Sequence, residues 1–193
     1  EDKPGFAEEF VAMLTAFPDL KVICPHFMLS SMRSERLEEL LNSFPNLYTD
    51  IGFSDFFMKE RLEYISENPE KFKRLFAEYP GRFMYATDLV LKGSPRQTED
   101  WIMNQHQAYL DMLTKRTYTT PLISGKTLNG VELPEDTLAG VLYKNYDAFM
   151  AKQPIGTVIT RSVDWGRMGV RPLARTQGQT FPSPSASKRN SSQ

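Results

Sequence analysis

Residues 81–90 read GRFMYATDLV, an apolar run that stops on a carboxylate, Asp88. A run of this size predicts a short buried strand, with Met84, Ala86 and Asp88 on one side and Phe83 and Tyr85 on the other. Two earlier segments share the pattern. KVICPHF (21–27) ends near His26, and alternation there places Val22, Cys24 and His26 opposite Ile23. PNLYTDIGF (45–53) follows a proline turn and carries Asp50. Between these strand-like runs the apolar spacing is helical. GFAEEFVAMLTAF (5–17) sets Phe6, Phe10, Met13, Leu14 and Phe17 on one stripe, and SERLEELLNSF (34–44) does the same with Leu37, Leu40 and Leu41. Ser34 is the expected N-cap of that helix. Residues 54–81 read as a helix, a break at Asn68-Pro69, and a second helix with Phe72, Leu75 and Phe76 inward. After Asp88, a helix over 98–116 is predicted, capped by Thr98, with Trp101, Ile102, Tyr109, Met112 and Leu113 available for burial. PLISGKTLNGVEL (121–133) carries turn signals, and a last helix starts at Pro134.

Strands alternating with helices predict an α/β fold of about three parallel strands with covering helices. Parallel strands align their C-terminal ends on one face, where α/β proteins place their sites. His26, Asp50 and Asp88 all lie at such ends. The expected domain covers 1–170. From about Arg171 the chain turns to Pro, Ser, Thr, Gln, Arg and Lys, and 171–193 reads as a disordered tail with almost nothing to bury.

The 193 residues suffice for one domain, and the net charge of −1 gives no reason to propose nucleic acid or an acidic membrane surface as partner. No run is long enough and apolar enough to span a bilayer, and no signal peptide is visible. The single cysteine, Cys24, allows neither an internal disulfide nor a cysteine-rich zinc site and fits a reducing, cytoplasmic setting. The chain opens on EDKPGF without an initiator Met, so a native N-terminus is expected to be missing.

Two residues stand out for chemistry. His26 is either a packed, hydrogen-bonded imidazole or a ligand, and Asp88 is either a turn cap or a reactive carboxylate. Together at a strand mouth they can share a divalent metal, and the carboxylate can take a proton from metal-bound water. Two ligands are fewer than the three a catalytic zinc site uses. Asp50 is an outer partner of such a ligand or a turn former. Arg96, in KGSPRQ just beyond the third strand, is a solvated loop charge or an anion contact for substrate. His106 is expected on a solvated helix face. Cys24 reads as a small buried hydrophobe, since nothing near it in sequence lowers a thiol pKa. There is no P-loop, dinucleotide fingerprint, HExxH or nucleophile elbow.

The order FPDLKVICPHF, FPNLYTDIGFS, YPGRFMYATDLV, LPEDTLAGVLYKNYDAFM resembles the C-terminal half of the amidohydrolase-related family, over residues 5 to 150. Members are metal-dependent (β/α)8 TIM barrels that act as hydrolases or nonoxidative decarboxylases. The resemblance implies that His26 is the sixth-strand histidine, approaching the metal or its water. Asp88 is then the eighth-strand aspartate that binds metal and shuttles the proton, and Asp50 a seventh-strand residue behind them. Asn145 matches the asparagine of the family's last helix. The implied cofactor is a divalent metal, Zn2+ first, and the implied partner a small organic substrate. The chain departs from the family in Ala86 where Gly is common, in Leu89 and Val90 after the Asp, and in FMLSS after the histidine. It also lacks the first-strand His-x-His pair and the fifth-strand histidine. Three strands cannot close a barrel, so the reading is of the C-terminal part of one, inactive alone. Its apolar surfaces are expected to meet a missing N-terminal half or to drive homo-oligomerisation. A non-catalytic scaffold or subunit fragment that has lost the metal site is the alternative of a different class. A doubly wound binding domain is disfavoured because no glycine-rich loop follows a strand.

Overall fold

The computed structural model describes residues 6–28 and 30–151. Residues 152–170 of the expected domain and the expected tail, 171–193, lie outside them. Three short strands form a parallel sheet in the order β1 (Val22–Cys24), β2 (Leu47–Asp50), β3 (Phe83–Met84). Val22 lies opposite Leu47 and Cys24 opposite Thr49; Thr49 in turn faces Phe83, and Asp50 faces Met84. The α/β expectation therefore holds, and the described strands close no barrel.

Helix α1 (Phe6–Ala16) precedes β1, α2 (Ser34–Ser43) joins β1 to β2, and α3 (Met58–Glu67) and α4 (Pro69–Glu78) join β2 to β3. The stripes of α2, α3 and α4 are buried as the spacing predicts, whereas in α1 Leu14 is buried and Phe10 and Met13 are half-buried. Leu37, Leu40 and Leu41 of α2, Leu62 and Ile65 of α3, and Phe72, Leu75 and Phe76 of α4 are buried. The α3–α4 break falls at Asn68, because Pro69 has no N–H to continue a helix and suits a first turn instead. Helix α5 (Glu99–Thr114) follows β3, with Thr98 Oγ1 accepting the Trp101 N–H at 3.2 Å as its cap. Tyr109, Met112 and Leu113 are buried as expected, whereas Trp101 and Ile102 are half-exposed. Ser34 is not a cap. It is the first residue of α2, and its hydroxyl is buried without a hydrogen-bond partner among the described residues.

Beyond α5 the turn signals conceal a second, two-stranded sheet. Strands β4 (Thr117–Thr120) and β5 (Ile123–Asn129) pair antiparallel, burying Tyr118, Ile123 and Leu128. The hairpin is tied to α3 through Asn129, whose backbone N–H and side-chain amide donate to Ser66 Oγ and O at 2.8 and 3.0 Å. Gly130 follows because a Cβ there would strike the Lys115 carbonyl oxygen.

The last helical segment is α6 (Glu135–Ala139), a π turn (Gly140–Lys144) and α7 (Asn145–Ala151). The π turn frees the Val141 carbonyl, which accepts the Tyr85 N–H at 2.8 Å, and Asn145 Nδ2 donates to the Phe83 carbonyl at 2.8 Å. These two bonds occupy backbone groups of β3 and its exit. None of the described helices is long and apolar enough to cross a membrane.

Two strand expectations fail at their ends. β1 stops at Cys24, and His26, Phe27 and Met28 follow with positive φ angles of 61°, 50° and 56°. β3 is only Phe83–Met84, both buried, and Asp88 has a φ of 53°. Alternation therefore places neither His26 nor Asp88; local backbone turns do.

Candidate functional site

The turn after β1 is Pro25–Met28, left-handed at His26, Phe27 and Met28. Pro25 lacks the N–H that would extend the ladder. Left-handed backbone is unfavourable for L-residues, so something must hold it. Part of the answer is Phe27, fully buried and stacked on Phe53 at 5.6 Å, with Phe83, Phe72 and Phe76 rings at 5.8, 5.9 and 6.3 Å. The turn drives Phe27 into this aromatic core and leaves His26 at the rim.

Asp50 supplies the rest. Its Oδ1 accepts the backbone N–H of His26 and that of Gly52, both at 2.9 Å. The second of these is an Asx-type turn. One carboxylate oxygen thereby clasps the end of β1 to the loop after β2. The imidazole Nδ1 of His26 lies 3.0 Å from the Gly52 carbonyl oxygen. A carbonyl can only accept, so the hydrogen of that bond is on Nδ1. In the neutral ring the lone pair is then on Nε2, as in histidines whose other nitrogen is held by a carbonyl.

Nε2 points toward Asp88, 3.6 Å from its Oδ2, with the two side chains 29% and 36% exposed. Asp88 comes from the loop after β3, and its positive φ turns it away from the strand direction. The gap is too long for a direct hydrogen bond. Two acceptors facing each other across it repel unless the ring is protonated, a water bridges them, or they share a cation. Gly52 lets the two loops approach: a Cβ there would sit 3.2 Å from Asp50 Oδ1 and 3.4 Å from the Ala86 carbonyl carbon and the Asp88 nitrogen.

The donor types suit a divalent ion, since imidazole nitrogen and carboxylate oxygen each bind zinc at about 2.0–2.2 Å and two such ligands lie about 3.4 Å apart on a tetrahedral edge. Among the described residues, however, no group of three or more His, Cys, Asp or Glu could hold a metal. Asp50 spends its near oxygen on two backbone N–H groups, and its Oδ1 lies 3.8 Å from His26 Nδ1. His26 and Asp88 thus fit two positions of a metal site and leave it short of a third.

The remaining expected residues are placed as follows. Arg96 is exposed on its loop, its backbone N–H donating to Ser94 Oγ at 3.3 Å, and none of the described contacts joins it to His26, Asp50 or Asp88. Cys24 is half-buried, and burial, then the Asp50 charge, pushes its thiol pKa up, which suits packing and not nucleophilic attack. His106 is not on a solvated face: it is half-buried, with Nδ1 2.8 Å from the Tyr85 hydroxyl. Sequence reasoning missed Gly52, although the Asp-x-Gly of TDIGF is a readable Asx-turn signal. No protein-family model, curated protein or solved structure matches this chain.

Proposed function

We propose that His26 and Asp88 are half of the metal site of an amidohydrolase-type hydrolase, on the rim of a (β/α)8 barrel whose last three strands are β1, β2 and β3. The observation that supports this is the facing pair: an imidazole anchored through Nδ1 and a carboxylate, with 3.6 Å between Nε2 and Oδ2. Further donors have to come from outside the described residues. A divalent ion, Zn2+ first, would lower the pKa of a bound water and polarise a substrate carbonyl. His26 presents its Nε2 lone pair without rotating, because the Gly52 carbonyl and the Asp50 clasp fix the ring and its backbone. Asp88, partly exposed, takes the proton from the attacking water and returns it to the leaving group. The substrate is a small organic molecule, and Arg96 on the neighbouring loop is its anion contact. The same pair serves a nonoxidative decarboxylase, with Asp88 handling the proton that replaces carboxylate. The reducing compartment suited to one half-buried thiol is the cytoplasm.

The alternative of a different class is a non-catalytic scaffold or subunit fragment that has lost the metal site. Equilibrium dialysis of the chain against Zn2+, with His26→Asn and Asp88→Asn, separates the readings. The enzyme reading expects binding that both substitutions weaken. Binding that both substitutions weaken sinks the scaffold reading, and uptake indifferent to both removes His26 and Asp88 as ligands. In a protein with the complete barrel, undiminished turnover by Asp88→Asn removes Asp88 from the mechanism.

A further inference from the structure

Tyr109 is fully buried on α5, one turn before that helix packs its end against β4. Its ring lies between the two loops that carry the candidate site: 5.9 Å and near-parallel to Phe53, after β2, and 6.0 Å and edge-on to Tyr85, after β3. Its hydroxyl accepts the Phe53 N–H. The one hydroxyl hydrogen lies between two carbonyl oxygens, Phe53 at 2.9 Å and Thr87 at 3.4 Å. Phe53 is the residue after Gly52, whose carbonyl holds the His26 ring. Thr87 is the residue before Asp88. Asp88 is therefore one residue from a Tyr109 contact, and the carbonyl that holds the His26 ring belongs to Gly52, one residue from the other contact. Burial pushes the phenol pKa up, so the hydrogen stays on the oxygen.

We infer that Tyr109 is a positioning residue: its hydroxyl and ring hold the loops after β2 and β3 at the spacing that sets the His26–Asp88 gap. The inference rests on the metal-site reading for its chemical meaning, not for its geometry. Removing the hydroxyl leaves the Phe53 N–H without its acceptor and the Thr87 carbonyl without its nearby donor. The Asp88 loop then shifts relative to Gly52, and the pair no longer presents both atoms to one ion.

The test is Tyr109→Phe in the 193-residue chain, with Ile65→Val as a remote core control that loses stability without touching either loop. Two NMR readouts are taken. The first is the NOE between the His26 ring Hε1 and the Asp88 Hβ protons. The second is the Mn2+ concentration that half-broadens the His26 and Asp88 signals. The expected result is loss of the NOE and a midpoint raised by about tenfold or more, the usual cost of losing a partner behind a metal ligand. Ile65→Val keeps both. A Tyr109→Phe protein that keeps the NOE at wild-type intensity overturns the inference. If wild-type His26 and Asp88 never broaden, these two donors alone do not hold the ion, and the NOE alone still decides the role of Tyr109. Should the variant lack stability in buffer, both readouts are taken with trimethylamine N-oxide, which strengthens folding without binding the site.

Discussion

Replacing Asp50 tests the clasp that aims His26. Three consecutive residues, His26, Phe27 and Met28, adopt left-handed backbone, at about 1–2 kcal/mol each, or about 3–6 kcal/mol together. Burying the Phe27 ring returns about 2–3 kcal/mol. The difference is of the size that the Asp50 carboxylate supplies through its bonds to the His26 and Gly52 N–H groups, at about 1.5–3 kcal/mol each for a charged acceptor. Asp50→Ala leaves two N–H groups to find water at a partly open rim, so the expected net loss is about 2–4 kcal/mol. Asp50→Asn keeps a carbonyl oxygen in the same position and loses only the charge, for about 1 kcal/mol. Urea unfolding followed by circular dichroism reads both. With a slope of about 2 kcal/mol per M, Asp50→Ala lowers the midpoint by about 1–2 M and Asp50→Asn by about 0.5 M. If Asp50→Ala moves the midpoint by less than about 0.3 M, or matches Asp50→Asn, the clasp does not hold the turn.

Three further outcomes are expected. Phe27→Ala empties the centre of a ring cluster formed with Phe53, Phe72, Phe76 and Phe83. It should cost about 3–5 kcal/mol in the same assay, and a loss under about 1 kcal/mol would show that the cluster is not the core. Gly130→Ala puts a methyl against the Lys115 carbonyl oxygen and near those of Met112 and Asp111. Calorimetry should show a melting temperature lower by about 6–12 °C, the cost of a backbone clash of about 3 kcal/mol; an unchanged temperature contradicts the close approach. Burial raises the phenol pKa of both Tyr109 and Tyr118. Above about pH 10, the unfolded chain releases these protons and the native one keeps them, so the native state binds more. The tyrosine contribution is then flat below about pH 10 and falls above it by about 1.4 kcal/mol per unit for each of the two. Tyr118→Phe should remove one share of that slope, and its buried hydroxyl has no described partner to lose.

The helices were legible because their cause is local. Leu37, Leu40 and Leu41 or Phe72, Leu75 and Phe76 recur at helical spacing, and burial follows from that spacing whatever they pack against. The Asn68-Pro69 break and the Thr98 cap are likewise properties of single residues. The hairpin of β4 and β5 was not legible. Its exposed Ser124, Gly125, Lys126 and Thr127 mask the apolar positions, and only pairing with each other and docking on Ser66 make TYTT and ISGKTLN strands.

The candidate site divides in the same way. An apolar run ending near His26 and another ending near Asp88 were enough to place both residues at the same face of a parallel sheet, since parallel pairing aligns strand ends. Period-two alternation then set each on one side of its strand, and that inference failed: β1 ends at Cys24 and β3 at Met84. What aims Nε2 at Asp88 is a left-handed turn held by Asp50, a carbonyl on Gly52 and a tyrosine on α5. Each of these acts across 22 to 56 residues of sequence. The amino-acid order by itself determined which residues stand at the mouth of the sheet, through local periodicity and strand direction. The tertiary structure decided which atoms face each other there, because those atoms are set by hydrogen bonds between loops that only packing brings together.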